Sequence, residues 1–354
     1  MFELKLKKMF QLKIIGLTFL LVSPFLWAQP LTQIPIQSSI QATTQSATES
    51  SSQWIDHRFQ VMGTEARIRL WHQDSNTGNK ALAAVVAEMH RIDSTMSIYK
   101  PHSMLSKVNR LAAQQEVVIS EELFEVIQQS LNISEMTQGA FDISFSSVGY
   151  LYDYRKHQQP DAKEIKSKLK LINYQQIKLN PENTSIRFMQ KGMRIDLGGI
   201  AKGLAVDNAI EILKQYGVRE ALVTAGGDTY ALGDNGGKLW QVGIKHPRAE
   251  SKIVTLLPVE NEAISTSGDY ERFFLDGTTR VHHIINPKTG SSARKVQSVT
   301  IIAANSTYAD ALSTSVFVLG VEKGLALVET LDDVSVIIVD NKGKLFYSSD
   351  LLNL

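Results

Sequence analysis

Residues 299–304 read V-T-I-I-A-A, and residues 306–314 continue with S-T-Y-A-D-A-L-S-T. The first segment is apolar and rich in β-branched residues, which predicts a strand. The second segment predicts the start of a helix. Thr307 is expected to cap it, because its hydroxyl can accept a hydrogen bond from the free amides of the first turn. The rest of the chain is interpreted around this strand and helix.

The polar side chains of the predicted helix fall on one face. Asp310 and Thr314 are four residues apart, so a helix places them one above the other, with Ser313 beside them. A carboxylate and two hydroxyls near a helix N-terminus suit a hard cation together with an anionic group. From this stretch alone, a helix start in which Asp310 only caps is an equally good interpretation.

Composition limits the classes of protein to consider. The chain has 354 residues, of which 43% are hydrophobic, so it can bury a large core as one large domain or two intimate ones. Its formal net charge of +1 gives no basic field for nucleic acid. It has no cysteine, which excludes disulfides, thiolate metal sites, a cysteine nucleophile and a lipid-modified N-terminal cysteine.

The N-terminal region has the pattern of an export signal. Several lysines precede an apolar run at residues 14–27, which is short for a membrane span, and Ala28 offers a small residue for cleavage. Residues 1–28 are therefore predicted to be a signal peptide, with an uncleaved anchor as the alternative. Residues 29–53, rich in Gln, Ser and Thr, predict a flexible polar tether. Residues 54–354 would form the folded domain, outside the cytoplasm.

Strand patterns outnumber helix patterns along residues 54–354. Residues 57–71 predict two strands about a Met-Gly-Thr turn, and residues 80–96 keep the apolar period of a helix. Residues 139–147 (G-A-F-D-I-S-F-S-S) predict a loop. Because short turns join many of the strands, the class expected is α+β, with antiparallel sheets packed against helices.

Residues 194–207 (R-I-D-L-G-G-I-A-K-G-L-A-V-D) predict a strand that ends at Asp196, two glycines and a helix. Glycines before a helix let a phosphate approach the backbone, and Lys202 adds a cation one turn in. A simple tight turn is the alternative. The spacing differs from G-x-G-x-x-G, and the chain contains no Walker-type motif. The A-G-G-D run at residues 225–228 is similar, with a hairpin or bulge as its alternative.

Five further residues have both a functional and a packing interpretation. His282 and His283 precede I-I-N-P, and strand alternation points them to opposite faces, so at most one is expected to face a site. Asp142 is an acid among apolar neighbours that either caps a turn or binds a ligand N–H. Tyr99 and Met62 either contact a ring or belong to the core.

The ordered motifs resemble the ApbE family of FAD:protein FMN transferases. The resemblance runs from about residue 59 to the last predicted hairpin. Its motifs are M-G-T (62–64), M-S-I-Y-K-P-H-S-M-L-S-K-V-N (96–109), G-A-F-D (139–142), I-D-L-G-G-I-A-K-G (195–203), A-G-G-D (225–228), S-T-S-G-D-Y (265–270), H-H-I-I-N-P-K-T-G (282–290) and A-D-A-L-S-T (309–314).

The resemblance implies a fold related to the T-fold and a Mg²⁺-dependent periplasmic enzyme. That enzyme would attach FMN from FAD to a threonine of a membrane redox complex, such as the sodium-pumping NADH:quinone reductase, and release AMP. By position, the implied metal ligands are Gly199, Asp310, Ser313 and Thr314. The implied FAD contacts are Met62, Tyr99, Ala140, Phe141, Asp142, Asp196, Lys202 and Ile284.

His283 matches the histidine that the resemblance implicates in catalysis. A threonine hydroxyl is a weak nucleophile, so a group must accept its proton; His283 is preferred for this, and Asp269 is the alternative. Two other functions remain open at this point: an FAD pyrophosphatase that uses water at the same site, and an exported flavin-binding protein without catalysis.

Overall fold

The computed structural model describes residues 53–249 and 252–352, which contain one large antiparallel sheet, four small sheets and helices. The strands are β1 (Gln53–Val61), β2 (Thr64–His72), β3 (Val117–Val118), β4 (Ile177–Asn180), β5 (Ser185–Phe188), β6 (Glu220–Ala225), β7 (Asp228–Leu232), β8 (Trp240–Lys245), β9 (Ile253–Val259), β10 (Glu262–Gly268), β11 (Phe273–Asp276), β12 (Thr279–His282), β13 (Ile285–Asn286), β14 (Ser291–Ser292), β15 (Val296–Ala303), β16 (Ser335–Asp340) and β17 (Leu345–Tyr347).

The helices of this region range from one turn to 22 residues. They are α1 (Ser75–Met96), α2 (Met104–Leu111), α3 (Glu121–Met136), α4 (Ser146–Gly149), α5 (Ala162–Lys168), α6 (Ala201–Gln215), α7 (Ser306–Leu319), α8 (Val321–Val328) and α9 (Ser349–Leu352). Among the described residues, no helix is both long and apolar enough to span a membrane.

Eight strands form the large sheet in the spatial order β1-β2-β6-β7-β10-β15-β16-β17, and every neighbouring pair is antiparallel. The small sheets are β3-β5-β4, β8-β9, β11-β12 and β13-β14. This arrangement confirms the predicted α+β class with antiparallel sheets. The predicted signal peptide and residues 29–52 lie outside the described residues, and Gln53 already belongs to β1.

The strand predicted at residues 299–304 is the C-terminal part of β15, which lies between β10 and β16 in the large sheet and ends at Ala303. All eight residues of β15 are buried, because both faces of the sheet are covered there. Val299 and Ile301 belong to the core that α7 and α8 contribute to. Ile302 faces the other way and packs with Trp240 of the β8-β9 hairpin. A strand covered on both sides explains the continuous apolar run in the sequence.

Helix α7 is buried almost all round, since it lies between the sheet and α6. Its first turn corrects the predicted cap. The side chain of Asn305 accepts a hydrogen bond from the amide of Tyr308 at 2.9 Å and is the N-cap. Thr307 lies inside the first turn, so its hydroxyl is free to bond elsewhere. The prediction that the Thr307 hydroxyl caps this helix was wrong, because Asn305 directly precedes the helix and is better placed to cap it.

Two other local predictions were wrong. Residues 194–196 form no strand, because the amide of Ile195 donates to the side chain of Asn109 at 2.7 Å and that of Asp196 donates to the carbonyl of Ile143 at 2.9 Å. The predicted loop at residues 139–147 contains a 3-10 turn, Ile143–Phe145, which leads into α4. The path of residues 194–196 depends on hydrogen bonds to distant parts of the chain, which sequence patterns do not reveal. The 3-10 turn is closed locally, by the amide of Phe145 donating to the carbonyl of Asp142 at 3.0 Å.

Candidate active site

The site is built where α6 meets the N-terminus of α7. A methyl group on Gly203 would lie 2.3 Å from the carbonyl oxygen of Ser306 and 2.7 Å from Cα of Thr307, so only glycine permits this approach. One turn further along α6, the carboxylate of Asp207 accepts from the amides of Ser306 and Thr307 at 2.8 Å each, and from the hydroxyl of Thr307. Helix α6 therefore fixes the position of the α7 N-terminus.

Lys202, Asp228 and Asp310 form a charge cluster at this contact. Nζ of Lys202 lies 2.8 Å from Oδ2 of Asp228 and 3.0 and 3.1 Å from the two carboxylate oxygens of Asp310. It also lies 3.4 Å from the carbonyl oxygen of Gly198. The amide of Gly203 donates to Asp310 at 3.2 Å. The ammonium group of α6 thus lies among oxygen atoms from α7, β7 and the turn at Gly198.

The charge cluster carries two carboxylates and one ammonium group. The side chains of Asp228 and Asp310 are 1% and 3% exposed. Burial, together with the negative charge of Asp228, raises the pKa of Asp310 to about 7. Burial opposes the charge on Lys202, but the two carboxylates outweigh it and raise the pKa of the lysine. With both carboxylates ionised, the cluster holds an uncompensated negative charge, which a further cation would stabilise.

A chain of hydroxyl groups connects the charge cluster to Ser313. Oγ of Ser313 donates to the carbonyl of Asp310 at 2.9 Å and lies 2.8 Å from Oγ of Ser267 and 3.2 Å from Oγ of Ser265. Ser265 donates in turn to Oδ1 of Asp228 at 2.5 Å. The hydroxyl groups of β10 therefore orient both the aspartate of β7 and the serine of α7.

Gly199 and Thr314 meet beside this network. A methyl group on Gly199 would lie 3.3 Å from Oγ1 of Thr314 and 3.2 Å from Cε2 of Phe141. The structure thus brings Gly199, Thr314 and Asp310 together around the α6–α7 contact. Among residues 53–249 and 252–352, no group of three or more His, Cys, Asp or Glu side chains is arranged to hold a metal ion. A metal here would depend on hydroxyl and carbonyl oxygens as well as carboxylates.

Asp196 lies in the turn that leads to Gly199. Its Oδ1 accepts from the amide of Gly198 at 2.7 Å, which fixes the turn. Burial raises the pKa of the Asp196 carboxyl, although the hydrogen bond from Gly198 and the charges of Arg272 and Lys202 oppose that shift. An acid held this way can present its second oxygen to a polar ligand group.

Arg272 is a site residue that the sequence interpretation missed. Its charge acts on Asp196, on His283 and on the hydroxyl of Tyr99, whose side chain is 75% exposed. A methyl group on Gly63 would lie 3.2 Å from Nη2 of Arg272, so the guanidinium also borders the turn that contains Met62. Arg272 follows the S-T-S-G-D-Y motif by two residues, and a lone arginine there has no distinguishing pattern.

The two adjacent histidines have different environments. His282 is buried; its Nε2 lies 2.6 Å from the carbonyl of Ala293 and its Nδ1 accepts from the amide of Ile284 at 3.3 Å, so it is neutral and protonated on Nε2. Nδ1 of His283 is buried without a hydrogen-bond partner. Burial, and then the charge of Arg272, lower the pKa of His283 to about 3. His282 is structural, and His283 is the histidine with a free nitrogen.

The remaining predicted residues lie in packed surroundings. Oδ1 of Asp142 accepts from the amide and hydroxyl of Ser144 at 2.8 and 2.6 Å, and its Oδ2 accepts from the amide of Tyr174 at 3.0 Å. This bonding gives Asp142 a structural role in the loop. Three apolar residues named for FAD contact are nearly buried: Ala140, Phe141 and Ile284.

Asp269, the alternative proton acceptor, is bound to a cation. Its carboxylate receives two hydrogen bonds from the guanidinium of Arg248, both at 2.6 Å. A bidentate pair of this kind occupies both oxygens of the carboxylate. The geometry therefore favours His283 over Asp269 as a proton acceptor.

Comparisons with known proteins agree on one family. The model of the ApbE family matches residues 62–338. The chain is 31% identical to a FAD:protein FMN transferase of Klebsiella pneumoniae, over 82% of this chain and 90% of that protein. It is 32% identical to the FAD:protein FMN transferase of Treponema pallidum, over 79% of this chain and 82% of that one.

Solved structures give the same result. The ApbE protein of Thermotoga maritima superposes with a TM-score of 0.79 at 33% identity, over 85% of this chain and 99% of that one. The flavin transferase ApbE of Vibrio cholerae gives a TM-score of 0.76 at 25% identity, over 86% of this chain and 100% of that one. The chain therefore belongs to the ApbE family.

Proposed function

We propose that this protein moves FMN from FAD to a threonine hydroxyl of an acceptor protein, with Mg²⁺ bound at the α6–α7 contact and AMP as the second product. Its family and its relatives, which are named FAD:protein FMN transferases, make it a flavin transferase. The observation that carries the finer proposal is the charge cluster, in which two buried carboxylates face a single ammonium group.

The donor set fits Mg²⁺. Asp310 offers a buried carboxylate whose pKa is raised by burial and by Asp228, and such a group is stabilised by a nearby cation. Thr314 and Gly199 bring a hydroxyl and a backbone segment to the same place, and Ser313 is held beside them. Mg²⁺ prefers oxygen ligands and keeps positions for phosphate. When bound, it would neutralise charge on the FAD diphosphate.

The chain's own residues have distinct tasks in the proposed transfer. The threonine oxygen attacks the FMN phosphorus, the bond from that phosphorus to the bridging oxygen breaks, and AMP leaves with that oxygen. Lys202 and Arg272 supply positive charges that both act on Asp196. Their charges would hold the anionic diphosphate and stabilise the charge that develops on the leaving group.

His283 is the proposed acceptor of the threonine proton. In the ligand-free chain its low pKa makes it neutral, with a buried Nδ1 that lacks a partner. The positive charge of Arg272 contributes to that low pKa. A bound diphosphate would offset this charge and raise the basicity of the ring when the substrate is in place.

The cellular setting is part of the proposal. Residues 1–28 would direct export and residues 29–52 would tether the domain, which begins with β1 at Gln53, so that it acts in the periplasm. The acceptors would be subunits of membrane redox complexes, such as the sodium-pumping NADH:quinone reductase. The lysines and apolar run of the N-terminal sequence support export.

One experiment tests the activity. The full chain is incubated with FAD, Mg²⁺ and an acceptor domain of the sodium-pumping NADH:quinone reductase, and the products are separated on a denaturing gel. A fluorescent flavin band on the acceptor supports transfer. Release of FMN and AMP without that band would indicate a pyrophosphatase, and tight FAD binding with neither product would indicate a flavin-binding protein.

Two variants assign the roles. Asp310→Ala is expected to lose Mg²⁺-dependent transfer while circular dichroism stays unchanged, with exposed Asp332→Ala as its control. His283→Ala is expected to retain FAD binding and lose transfer, with exposed His90→Ala as its control. Wild-type rates in either site variant would remove that residue from the mechanism.

A further inference from the structure

Within the part of the chain that the structure describes, the β11-β12 hairpin has one edge whose backbone groups have no partner. Its register pairs Phe273 with His282 and Leu275 with Arg280. The amide of His283 donates to the carbonyl of Arg272 at 3.2 Å. Because bonded and non-bonded pairs alternate in an antiparallel ladder, the amide and carbonyl groups of Phe273 and Leu275 point away from β12.

The opposite edge of the hairpin is closed at its end. The amide of His282 donates to Oγ of Ser292 at 2.9 Å, and that hydroxyl donates back to the carbonyl of His282 at 2.7 Å. At β11, by contrast, no residue in the described ranges bonds to the outward backbone groups of Phe273 and Leu275. An open strand edge of this kind is a template for another strand.

A cleft of about 460 Å³ runs beside β11. Its lining residues come from β11 and from the segment that faces it: Leu151, His157, Gln158, Gln159, Pro160, Glu164, Phe274, Leu275 and Asp276. No residue of β12 lines it, so it lies on the β11 side of the hairpin. Nε2 of Gln159 donates to Oδ2 of Asp276 at 2.7 Å and closes the end of the cleft near the hairpin turn.

The other end of β11 leads to the candidate active site. Arg272 directly precedes β11, and its charge acts on Asp196 and His283. The side chains along the strand are apolar and open to solvent: Leu275 is 59% exposed and Phe273 is 37% exposed. A polypeptide lying along β11 would therefore have one end beside Asp196, a proposed FAD contact, and His283, the proposed acceptor of the threonine proton.

We propose that β11 is the docking strand for the acceptor, which binds as an extended segment along this open edge and delivers its threonine at the Arg272 end. The inference rests on the proposed function, because transfer to a protein requires a polypeptide to reach a site that is otherwise built for a nucleotide. Pairing through backbone groups gives affinity with little dependence on sequence, and the cleft adds contacts for alternate side chains.

Kinetics of Leu275→Pro test the proposal. Proline removes an amide that faces outward, so the bonds to β12 remain. The KM for the acceptor domain of the sodium-pumping NADH:quinone reductase is expected to rise about tenfold, as loss of one or two hydrogen bonds predicts. The kcat and the FAD affinity are expected to stay within about twofold. Leu256→Pro, on β9 of another two-stranded sheet and 52% exposed, is the matched control and should leave the KM unchanged.

Hydrogen exchange on the wild-type chain tests the same contact without a mutation. Adding the acceptor domain should slow exchange at the amides of Phe273 and Leu275 and leave that of Leu256 unchanged. If proline disrupts the hairpin, Leu275→Lys replaces it, since a lysine on an edge opposes strand addition. Wild-type transfer with no protection of β11 and an unchanged KM would overturn this inference alone. Absence of transfer by the wild-type chain would overturn the proposed function, and this inference with it.

Discussion

Two clusters in this molecule have the same charges and opposite behaviour. On the surface, Arg91 of α1 contacts Glu88 of the same helix at 2.7 Å and Glu122 of α3 at 2.5 Å, and its side chain is 47% exposed. Inside, Lys202 contacts Asp228 and Asp310, whose side chains are almost wholly buried. Each cluster has one cation and two carboxylates, so a count of charges does not distinguish them.

The environment of each cluster decides what its charges do. Hydrogen bonds from Arg91 lower the pKa of Glu88, because water and the guanidinium together stabilise the second negative charge. Burial and Asp228 raise the pKa of Asp310 to about 7, because removal from solvent and a second negative charge both disfavour its ionised form. The surface cluster links two helices, whereas the buried cluster would be stabilised by a further cation.

The largest expected effect is that of Lys202→Met. This change leaves two buried carboxylates without their cation, and breaking a buried ion pair costs about 3–5 kcal/mol. The free energy of unfolding, measured in urea at pH 7.5 without divalent ions, should fall by that amount. FMN transfer should also be lost. If the variant is as stable as the wild-type chain, removal of the cation costs no more free energy in the buried cluster than in the surface one.

An intermediate effect is expected from the titration of Asp310. A carboxyl whose pKa is raised on folding contributes stability that is present below the unfolded value of about 4 and is lost as the pH rises through about 7. In EDTA, the Tm of the wild-type chain should therefore fall, relative to that of Asp310→Asn, as the pH rises from 4.5 to 7.5. Glu122→Gln is the surface control. Parallel Tm profiles for the wild-type chain and Asp310→Asn would contradict the raised pKa.

The smallest effect is expected from Arg91→Met. Ion pairs exposed to solvent contribute about 0–1 kcal/mol, and Asn208 still donates to Glu88 at 2.8 Å and to Glu122 at 3.2 Å after the change. Urea unfolding should show a loss of less than about 1 kcal/mol, with FMN transfer unchanged. A loss as large as that of Lys202→Met would remove the distinction between the two clusters.

Much of the fold could be predicted from local patterns. The alternation of β2 and the apolar run of β15 follow from which sheet faces are covered. The pairing of Asp310 with Thr314 on one helix face follows from helix geometry alone. The predicted cap of α7 was wrong, because Asn305 takes that role. The strand predicted to end at Asp196 was wrong, because residues 195 and 196 bond to Asn109 and Ile143 instead.

The sequence by itself determined the family, the α+β class and the residue types of the candidate site, because motif order and hydrophobic period are local properties. Only the tertiary structure decided which charged groups lie close enough to change each other's pKa. It brought Asp228 and Lys202 to Asp310 and Arg272 to His283, and it gave His282 a structural role. The physical reason is that a pKa depends on burial and on neighbours within a few ångströms, and those neighbours here come from different elements of the chain.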